Sequence, residues 1–519
     1  MSLKLMRRSA VLGYEFSGYF EPLFKMALED NLMTNPYSLL AYRARISPNE
    51  IAYSDGRESL NYIQLHTLCV KASEKFAAAG ITSGDKVYLL VPEHVAFILT
   101  MALFHRGCIS CVGLPGTSRP ENLGFKWTVS AAPDGTHLDS TIKIDSAWFS
   151  LVNSMPGNSP MFDYLDNTEC RIILTSGTTG GSKAVTLSPQ MIGMRLRRNH
   201  LIWSSHKGNE INLMGLATIG GFMSTIQNIE AGRTVLLPNT SKSLLSMIQD
   251  FYVVSLIAAP AALVLFINEP FVKPSLLTGI REIRLAGSVI SPQLIDRLYK
   301  IFNAKIYGVY GSTEIGAVGM VPLTSVKEAH KTAIIQPDVF VEIVNEDNEK
   351  LKDGSEGIVR IQSEGMAYSY LNAPAATNLA FRDGWFYPGD IGVMTDGVIS
   401  LTGRTADVIN LGGLKIHPSS IEQVIRDLSG IDDVTAFSVE NLNGRTSVAF
   451  AYTAAESIDF STYREKLLER LNPAYIPEHY FHLTQLPRNQ MGKVLRRQLT
   501  ERFSIEVQQR QRNTIKAGQ

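Results

Sequence analysis

Short apolar segments alternate with amphipathic stretches along the chain from residue 86 onward. The first pair is Lys86–Val91, which has the character of a strand, and Val95–Phe104, which has the spacing of a helix. Further segments rich in Val, Ile and Leu lie at residues 108–114, 171–174, 234–237, 253–257, 283–286 and 304–309. Continuously apolar strands separated by helices are typical of a sheet covered on both faces. The pattern therefore predicts an α/β fold in which sheets are layered with helices.

The segment Phe251–Ile267 comes close to the composition of a membrane span. It is shorter than the roughly 20 apolar residues that a span needs, and proline interrupts it. Because proline is tolerated in the first turn of a helix, we predict a buried strand over 253–257 and a helix that starts at Pro260. Gly13 and Glu15 interrupt the apolar run near the start of the chain, which argues against a signal peptide. We expect a cytoplasmic protein without a transmembrane segment.

The pattern changes near residue 404, where a glycine-containing hairpin precedes a Gly-Gly loop and a predicted helix. Ser419 and Glu422, just after Pro418, have the spacing of a capping box and predict the start of that helix. Strands at 434–439 and 447–452 and a helix at 463–471 follow. We predict a large N-terminal domain over 1–403, a hinge over 404–407, a small mobile α+β C-terminal domain over 408–505 and a loose polar tail over 506–519.

Composition excludes several classes of protein. The 519 residues include 49 Lys and Arg and 49 Asp and Glu, so there is no net field that would attract nucleic acid or an anionic membrane. Four cysteines are too few for a disulfide framework, and we interpret Cys108 and Cys111 as small buried residues on a strand. The histidines form no HExxH motif. We therefore expect no metal held by side chains alone.

The most informative motif is TSGTTGGSK, Thr175–Lys183, directly after the predicted strand RIIL. Glycines and small hydroxyl residues allow backbone N–H groups to approach a polyphosphate closely, and the lysine adds a positive charge. The spacing GxxxxGK[ST] of a Walker loop is absent, so P-loop chemistry is not indicated. Taken alone, such a loop could equally be a simple turn.

Four further motifs follow in order along the chain. They are Tyr310–Glu314 (YGSTE), Gly384–Asp390 (GWFYPGD), Gly403–Pro418 (GRTADVINLGGLKIHP) and Pro487–Arg496 (PRNQMGKVLR). With the first motif they resemble the adenylate-forming superfamily, which includes acyl-CoA synthetases, adenylation domains of peptide synthetases and firefly luciferase. The resemblance covers residues 50–500. It implies that a carboxylate attacks the α-phosphate of ATP to give an acyl-adenylate and pyrophosphate, after which a thiol displaces AMP.

The resemblance also implies roles for individual residues. Lys493 is expected to be the catalytic lysine, which contacts the carboxylate and the α-phosphate, and Glu314 the carboxylate that binds Mg²⁺. Thr313 would hydrogen-bond the α-phosphate. The expected nucleotide contacts are Thr175, Ser176, Gly177, Thr178, Thr179, Gly180 and Lys183 on the phosphates, Tyr310 on adenine, Asp390 on the ribose hydroxyls, and Arg404 on ribose or phosphate, with Ala286 and Gly287 as further residues of the site.

The acid pocket implied by the resemblance is apolar. Thr218 takes the place of a histidine that is common in acyl-CoA synthetases, and no counterpart of the aspartate that anchors an α-amino group is evident. A buried carboxylate is costly without a cation, so its absence argues against amino acid substrates. The expected pocket residues are Thr218, Ile219, Met223, Val309 and Gly311, with Met214 beside them, and Gly412 and Gly413 are expected to form the tunnel for the acceptor.

Three functions stay open at this point. We expect an acyl-CoA synthetase that uses ATP, Mg²⁺, a small carboxylic acid and coenzyme A. The alternative is a stand-alone adenylation enzyme that loads the phosphopantetheine arm of a carrier protein. A silent adenylate-binding module is disfavoured, because binding alone does not require the full set of Lys183, Glu314, Asp390, Arg404 and Lys493. The hinge residue Ala406, where relatives commonly have Asp or Lys, still permits the φ/ψ change of a domain rotation.

Overall fold

The computed structural model describes residues 35–114, 117–131, 140–164, 168–175, 183–200, 208–288, 290, 292–324, 332–411, 414–426, 428, 430–471, 473–488 and 494–517. The chain divides into two compact units. The first extends to Val341 and includes Ile361–Phe386, and the second contains Glu342–Arg360 and the residues from Tyr387 onward. The predicted domain boundaries at 403 and 407 remain a prediction.

The described part of the chain contains thirteen α-helices. Those of the first unit are α1 (Tyr37–Ile46), α2 (Tyr62–Ala78), α3 (Glu93–Arg106), α4 (Ser146–Asn153), α5 (Pro189–His200), α6 (Ile219–Glu230), α7 (Ser241–Asp250), α8 (Pro260–Ile267), α9 (Pro292–Ile301) and α10 (Pro374–Ala380). Those of the second unit are α11 (Pro418–Arg426), α12 (Arg464–Arg470) and α13 (Arg496–Ala517).

The strands of the first unit up to the first boundary are β1 (Ile51–Ser54), β2 (Ser59–Asn61), β3 (Lys86–Leu90), β4 (Ile109–Val112), β5 (Trp127–Ser130), β6 (Thr141–Lys143), β7 (Arg171–Thr175), β8 (Lys183–Leu187), β9 (Asn209–Asn212), β10 (Val235–Leu236), β11 (Val253–Ala258), β12 (Glu282–Ala286), β13 (Lys305–Ser312), β14 (Gly316–Pro322) and β15 (Ala333–Ile335). The remaining strands are β16 (Val339–Val344), β17 (Glu356–Ser363), β18 (Phe381–Arg382), β19 (Trp385–Phe386), β20 (Asp390–Thr395), β21 (Val398–Arg404), β22 (Ile409–Leu411), β23 (Leu414–Ile416), β24 (Asp433–Glu440), β25 (Thr446–Thr453) and β26 (His479–His482).

Parallel sheets form the centre of the first unit. One sheet has the order β6-β5-β3-β4-β7-β8, in which β8 alone pairs antiparallel. In the other, β13, β12, β11, β9, β10 and β1 are consecutive parallel neighbours. Every residue of β4 and β11 is buried, as expected for strands covered on both faces. The predicted α/β fold is therefore confirmed.

The segment 251–267 is folded into β11 and α8, as predicted. Pro260 is the first residue of α8, where its missing N–H is not needed. Over the ranges described, no helix is both long and apolar enough to span a bilayer. Cys108 and Cys111 are both buried and unbridged, in agreement with their interpretation as small core residues, although Cys108 precedes β4 rather than lying on it.

The second unit differs from the prediction at the start of α11. The helix begins at Pro418, so Ser419 lies within its first turn and donates its hydroxyl to the carbonyl of Thr402 instead of capping. Glu422 is buried, and its Oε1 accepts from the backbone N–H of Ala436 at 2.9 Å. The predicted capping box is therefore wrong, because both side chains have tertiary partners.

The predicted loose tail is also wrong, since α13 continues to Ala517. Helical spacing places Leu499, Phe503 and Val507 on one side of α13, where they pack into a core with Phe437 and Phe481 of the neighbouring strands. The rings of Phe481 and Phe503 stack with centroids 3.8 Å apart. Burial of these three apolar side chains fixes a segment that is otherwise polar.

Candidate active site

The carboxyl ends of parallel strands bring several predicted site residues to one edge of a sheet. Strands β9, β12 and β13 belong to the same run of parallel neighbours, and they end at Asn212, Ala286 and Ser312. Ala286 and Val309 are register partners on adjacent strands. Open α/β sheets bind ligands outside the carboxyl ends of their strands. The segments that follow these three strands are therefore well placed to line a site.

The predicted phosphate loop connects two paired strands. Thr175, the last residue of β7, lies opposite Lys183, the first residue of β8, so both ends of the loop are fixed by an antiparallel ladder. The loop residues Ser176, Gly177, Thr178, Thr179 and Gly180 lie outside the described part of the chain, as do Lys493, Gly412 and Gly413. Their roles remain predictions.

The motif YGSTE covers the last three residues of β13 and the beginning of the turn to β14. A Cβ at Gly311 would lie 2.3 Å from the carbonyl oxygen of Gly316, so the close approach of the two strands requires glycine there. Gly316 has φ +80°, which again favours glycine. The hydroxyl of Ser312 is buried and has no hydrogen-bond partner among the described residues. The turn thus presents Thr313 and Glu314 from a tightly constrained backbone.

Two buried arginines of α5, Arg195 and Arg198, hold this turn by its carbonyl groups. Arg195 donates to the carbonyl oxygens of Thr313 at 3.1 Å and Glu314 at 2.9 Å, and to that of Gly365 at 2.8 Å. Arg198 donates to the carbonyl oxygen of Ile315 at 2.9 Å. Burial lowers the pKa of Arg195 to about 9. The cost of burying each guanidinium is offset by several hydrogen bonds to the turn.

Sequence reasoning missed both arginines. The sequence gives little indication of their role, because the pattern RLRR is typical of the solvent-exposed end of a helix. The spacing of three residues between Arg195 and Arg198 does place them on one face of α5. Ile192 and Leu196 of the same helix are buried as well, so that face points inward. Only the structure shows that the polar partners are the carbonyl groups of a turn 118 residues away.

The carboxylate of Glu314 is buried, with a relative exposure of 8 % for the residue. Its Oε1 accepts a hydrogen bond of 2.6 Å from the hydroxyl of Tyr370. Burial, together with the nearby charge of Glu314, raises the pKa of Tyr370, so the tyrosine remains a neutral donor. The ammonium of Lys183 lies over the ring of the same tyrosine, 4.8 Å from its centroid. Tyr370, which sequence reasoning also missed, therefore contacts two predicted site residues.

The Glu314 site fits a magnesium ion on the chemistry of its donors. Tyr370 occupies Oε1 without neutralising the charge, and Glu314 forms no ion pair with any residue that the structure describes. Mg²⁺ prefers one or two carboxylates together with phosphate oxygens and water. A buried carboxylate without an ion-pair partner among the described residues, two residues along the chain from the unsatisfied hydroxyl of Ser312, suits such a ligand set.

In the second unit, Asp390 and Arg404 are register partners on β20 and β21. The Nε of Arg404 lies 2.9 Å from Oδ1 of Asp390, and the aspartate side chain is 3 % exposed whereas the arginine side chain is 42 % exposed. Thr405 follows directly, and its backbone N–H donates to the carbonyl of Gly389 at 2.9 Å. The structure therefore joins the predicted ribose contact to the predicted hinge arginine.

The predicted pocket residues Thr218, Ile219 and Met223 lie at the beginning of α6. Thr218 is the N-cap, and its hydroxyl accepts from the N–H of Gly221 at 3.0 Å and donates to the carbonyl of Gly215 at 3.0 Å. Val309 packs against Tyr307 and Met320 in a small apolar cluster. The hydroxyl of Thr218 thus caps the helix, and its methyl group is the part of the side chain that is available to a ligand.

Comparison with known proteins identifies relatives of this architecture. The family model described as AMP-binding enzyme matches residues 129–371. A fatty acid–[acyl-carrier-protein] ligase of Streptomyces coeruleorubidus is 26% identical over 514 residues, which cover 89% of this chain and 95% of that protein. A long-chain-fatty-acid–CoA ligase of Mycobacterium tuberculosis is 25% identical over 510 residues, which cover 92% of this chain and 100% of that protein.

Solved structures share the fold. ATP-bound MatB from Rhodopseudomonas palustris superposes with a TM-score of 0.81 at 17% identity, covering 91% of this chain and 100% of that one. The o-succinylbenzoate CoA synthetase MenE from Bacillus subtilis, in complex with its acyl-adenylate intermediate, gives a TM-score of 0.77 at 20% identity and covers 89% and 97% of the two chains. These likenesses show that the chain has the fold of proteins solved with ATP and with an acyl-adenylate.

Proposed function

Because this chain belongs to the adenylate-forming superfamily of AMP-binding enzymes, we propose that it activates a carboxylic acid with ATP and transfers the acyl group to coenzyme A. In the first step a carboxylate oxygen attacks the α-phosphorus of ATP, the bond to the β-phosphate oxygen breaks, and pyrophosphate leaves. In the second step the thiol loses its proton, sulfur attacks the acyl carbon, and AMP leaves with the oxygen that came from the acid.

The observation that carries this proposal is that Lys183 and Glu314 both contact Tyr370. The ammonium of Lys183 lies over its ring, and Glu314 accepts a hydrogen bond from its hydroxyl. The first step brings an anionic acid to an anionic polyphosphate, so the site must supply positive charge where phosphate charge develops. Lys183 supplies a cation at the end of the phosphate loop. Glu314 would hold Mg²⁺, which, when bound, neutralises the phosphate oxygens. A module that only binds adenylate has no need of this second centre.

The remaining site residues have supporting roles in the proposal. Asp390 would accept hydrogen bonds from the ribose hydroxyls, while Arg404 pairs with the same aspartate. Thr313 would donate its hydroxyl to the α-phosphate, and Tyr310 would stack on adenine beside Ala286 and Gly287. Lys493 would contact the acid and the α-phosphate in the first step. The phosphate loop 176–180 would donate backbone N–H groups to the β- and γ-phosphates.

The acid that best fits is apolar and carries no α-amino group. Ile219, Met223 and Val309 offer only apolar atoms, and the hydroxyl of Thr218 is engaged at the N-cap. No carboxylate or ammonium group is contributed by these four residues. Both relatives reported above are named for fatty acids, which agrees with this reading. We expect the reaction to run in the cytoplasm, where ATP and coenzyme A are available.

The acceptor has a second candidate. One relative transfers its fatty acid to an acyl-carrier protein, and the same phosphopantetheine arm ends in the thiol of both acceptors. The Gly412–Gly413 loop would admit either form, because it offers no side chain to block a narrow arm. The alternative function is therefore a stand-alone enzyme that loads a carrier protein.

Mass spectrometry of the products tests the proposal. The protein is incubated with Mg-ATP and a panel of fatty and aryl acids, with no acceptor, with coenzyme A, or with a holo acyl-carrier protein. Acyl-AMP without an acceptor and acyl-CoA with coenzyme A are the expected products. Acyl-AMP that coenzyme A does not consume but a carrier protein does would establish the alternative. Binding of ATP with no adenylate from any acid would contradict both.

The variant Lys493→Ala tests the role of the catalytic lysine within this scheme. We expect adenylate formation to fall by about 10²–10³-fold, the range seen when one donor to a developing negative charge is removed. Binding of Mg-ATP, measured calorimetrically, should be nearly unchanged. An unaltered rate of adenylate formation would show that Lys493 does not act in the first step.

A further inference from the structure

We propose that Tyr370 is a positioning residue that keeps Lys183 and Glu314 apart, so that the lysine is free to bind phosphate and the carboxylate is free to bind the metal ion. This inference rests on the proposed function and adds to it a residue that none of the five sequence motifs contains. The three side chains come from separate parts of the first unit: β8, the turn after β13 and the segment before α10.

The two charged groups contact different parts of the tyrosine. The hydroxyl group donates to Oε1 of Glu314 at 2.6 Å, which is short enough for a charge-assisted hydrogen bond. The ring face lies 4.8 Å from the Nζ of Lys183, within the range of a cation–π contact. Lys183 and Glu314 form no ion pair with each other, although the same side chain contacts both. Tyr370 thus separates two opposite charges that would otherwise be free to pair.

The chemical identity of the residue matters for this role. A lysine or arginine at this position would neutralise Glu314 and compete with a metal ion, whereas a phenol donates a hydrogen bond and leaves the charge of the carboxylate in place. An aliphatic residue would leave Lys183 and Glu314 free to form an ion pair that quenches both. The aromatic ring attracts the ammonium through its quadrupole only weakly, so phosphate oxygens can displace that contact.

Backbone hydrogen bonds fix the tyrosine relative to both partners. The N–H of Ala367 donates to the carbonyl of Glu314 at 2.6 Å, and the N–H of Leu371 donates to the carbonyl of Ala184 at 2.8 Å. The segment 367–371 is therefore joined at one end to the turn of Glu314 and at the other to the strand of Lys183. Movement of the segment 367–371 away from the turn or from β8 would break these bonds.

Two substitutions separate the hydroxyl from the ring. Tyr370→Phe removes the hydrogen bond to Glu314 and keeps the ring under Lys183, whereas Tyr370→Leu removes both. Tyr62→Phe is the matched control, because Tyr62 is a buried tyrosine of the same unit whose hydroxyl donates to the carbonyl of Arg233 at 2.9 Å. Each variant is examined by calorimetric binding of ATP with and without Mg²⁺, and by the rate of adenylate formation as a function of Mg²⁺.

We expect Tyr370→Phe to weaken the Mg²⁺-dependent part of ATP binding about 10-fold, the lower end for a hydrogen bond to a charged group. Half-maximal adenylate formation should need correspondingly more Mg²⁺, while the KM for the acid stays unchanged. Tyr370→Leu should in addition weaken ATP binding without Mg²⁺, because Lys183 is then neutralised by Glu314. If Glu314→Gln restores ATP binding without Mg²⁺ in the Tyr370→Leu background, the loss was caused by an ion pair between Lys183 and Glu314.

The outcomes distinguish this inference from the proposed function. If the natural protein forms an acyl-adenylate but Tyr370→Phe matches Tyr62→Phe in its Mg²⁺ dependence, the role of Tyr370 is wrong and the function stands. If the natural protein binds Mg-ATP but forms no adenylate, the function is wrong, and the calorimetric comparison still decides the role of Tyr370. If Tyr370→Leu binds ATP without Mg²⁺ as tightly as Tyr370→Phe does, then Tyr370 does not keep Lys183 and Glu314 apart.

Discussion

Glu314 and Asp390 are two buried carboxylates with different kinds of partner. Glu314, in the first unit, receives a hydrogen bond from a neutral tyrosine and no ion pair from the residues that the structure describes. Asp390, in the second unit, is paired with Arg404 at 2.9 Å. A carboxylate without an ion pair is suited to binding a cation, and one that is already paired with an arginine is better suited to neutral hydrogen-bond donors. The contrast agrees with the proposal that Glu314 binds the metal ion and Asp390 the ribose hydroxyls.

The two carboxylates also differ in how their backbones are held. The turn that carries Glu314 is bound through the carbonyl groups of Thr313, Glu314 and Ile315 by the two arginines of α5. Asp390 is held by an antiparallel ladder between β20 and β21, in which it faces Arg404. The ladder between β13 and β14 ends at the pair Ser312 and Gly316, so the carbonyl groups of residues 313–315 lie beyond it and are bound by side chains from another element. This is why a fully buried arginine is found next to the first carboxylate.

The largest effect is expected for Glu314→Gln, which keeps the shape of the side chain and its acceptor for Tyr370 but removes the charge. The rate of adenylate formation should fall by about 10²–10³-fold, because the electrostatic stabilisation of the phosphates is lost. Steady-state rates across a series of Mg²⁺ concentrations measure this effect. A variant that loses less than about 3-fold would show that Glu314 does not hold the metal ion and would remove the contrast with Asp390.

A smaller effect with a different signature is expected for Asp390→Asn. The KM for ATP should rise by about 10-fold, since hydrogen bonds to the neutral amide are weaker than those to a carboxylate, whereas the Mg²⁺ dependence should not change. Because the Arg404 side chain is 42 % exposed, loss of the pair should lower the free energy of unfolding by only about 1 kcal/mol or less. A shift in the Mg²⁺ dependence equal to that of Glu314→Gln would contradict the separate roles.

Arg195→Lys tests whether the turn of Glu314 depends on its arginine. Lysine can replace at most part of the three hydrogen bonds to Thr313, Glu314 and Gly365. Each lost bond from a charged donor costs about 1.5–3 kcal/mol, so the free energy of unfolding should fall by about 3 kcal/mol, and adenylate formation should slow several-fold. Denaturant unfolding and rates across Mg²⁺ concentrations are the two measurements.

Arg171→Lys is the control for that substitution. Arg171 is equally buried but donates to the carbonyl of Leu216 at 2.8 Å and packs on the ring of Phe222, remote in sequence from the turn. We expect a comparable loss of stability with an unchanged Mg²⁺ dependence. Equal changes of the Mg²⁺ dependence in both variants would attribute the effect of Arg195→Lys to general destabilisation.

The smallest effect on activity is expected from protonation of a histidine that belongs neither to the turn of Glu314 nor to the strands of Asp390. Burial lowers the pKa of His105 to about 4, whereas an unfolded chain has a histidine pKa of about 6.5. Between these values the unfolded state binds a proton that the folded state does not, so stability falls as the pH decreases from 6.5 to 4, by about 3 kcal/mol in total. Denaturant unfolding at pH 7.5 and pH 5 should show about 2 kcal/mol of this loss, and His105→Gln should show less of it. An identical pH dependence in the variant would exclude His105 as the cause.

Local patterns predicted the elements well where the chain is apolar and continuous. Strands such as Lys86–Leu90 and Val253–Ala258 differ from the prediction by a residue at one end. The prediction failed where a polar segment is fixed by partners distant in sequence, as in the end of α13 and the first turn of α11. Propensity and spacing report only on neighbours along the chain, so they carry no information about such partners.

Some residues of the candidate site could be predicted from the sequence, and others could not. The motifs located Glu314, Lys183, Asp390 and Arg404, because each motif is a short stretch with its own chemistry. Tyr370 and Arg195 belong to no motif, and they become visible only when the fold places a phenol and a guanidinium against the turn of Glu314. Residues that position others are recognised from contacts in space, which sequence alone does not give.

The most direct test of activation through an acyl-adenylate follows an oxygen atom from the acid to the product. An acid that the protein accepts is labelled with ¹⁸O in its carboxyl group and incubated with Mg-ATP and the acceptor thiol, and the products are examined by mass spectrometry. Attack of the carboxylate on the α-phosphorus predicts AMP that carries one ¹⁸O atom and pyrophosphate that carries none. Label in inorganic phosphate, or thioester formation with unlabelled AMP, would contradict activation through an acyl-adenylate.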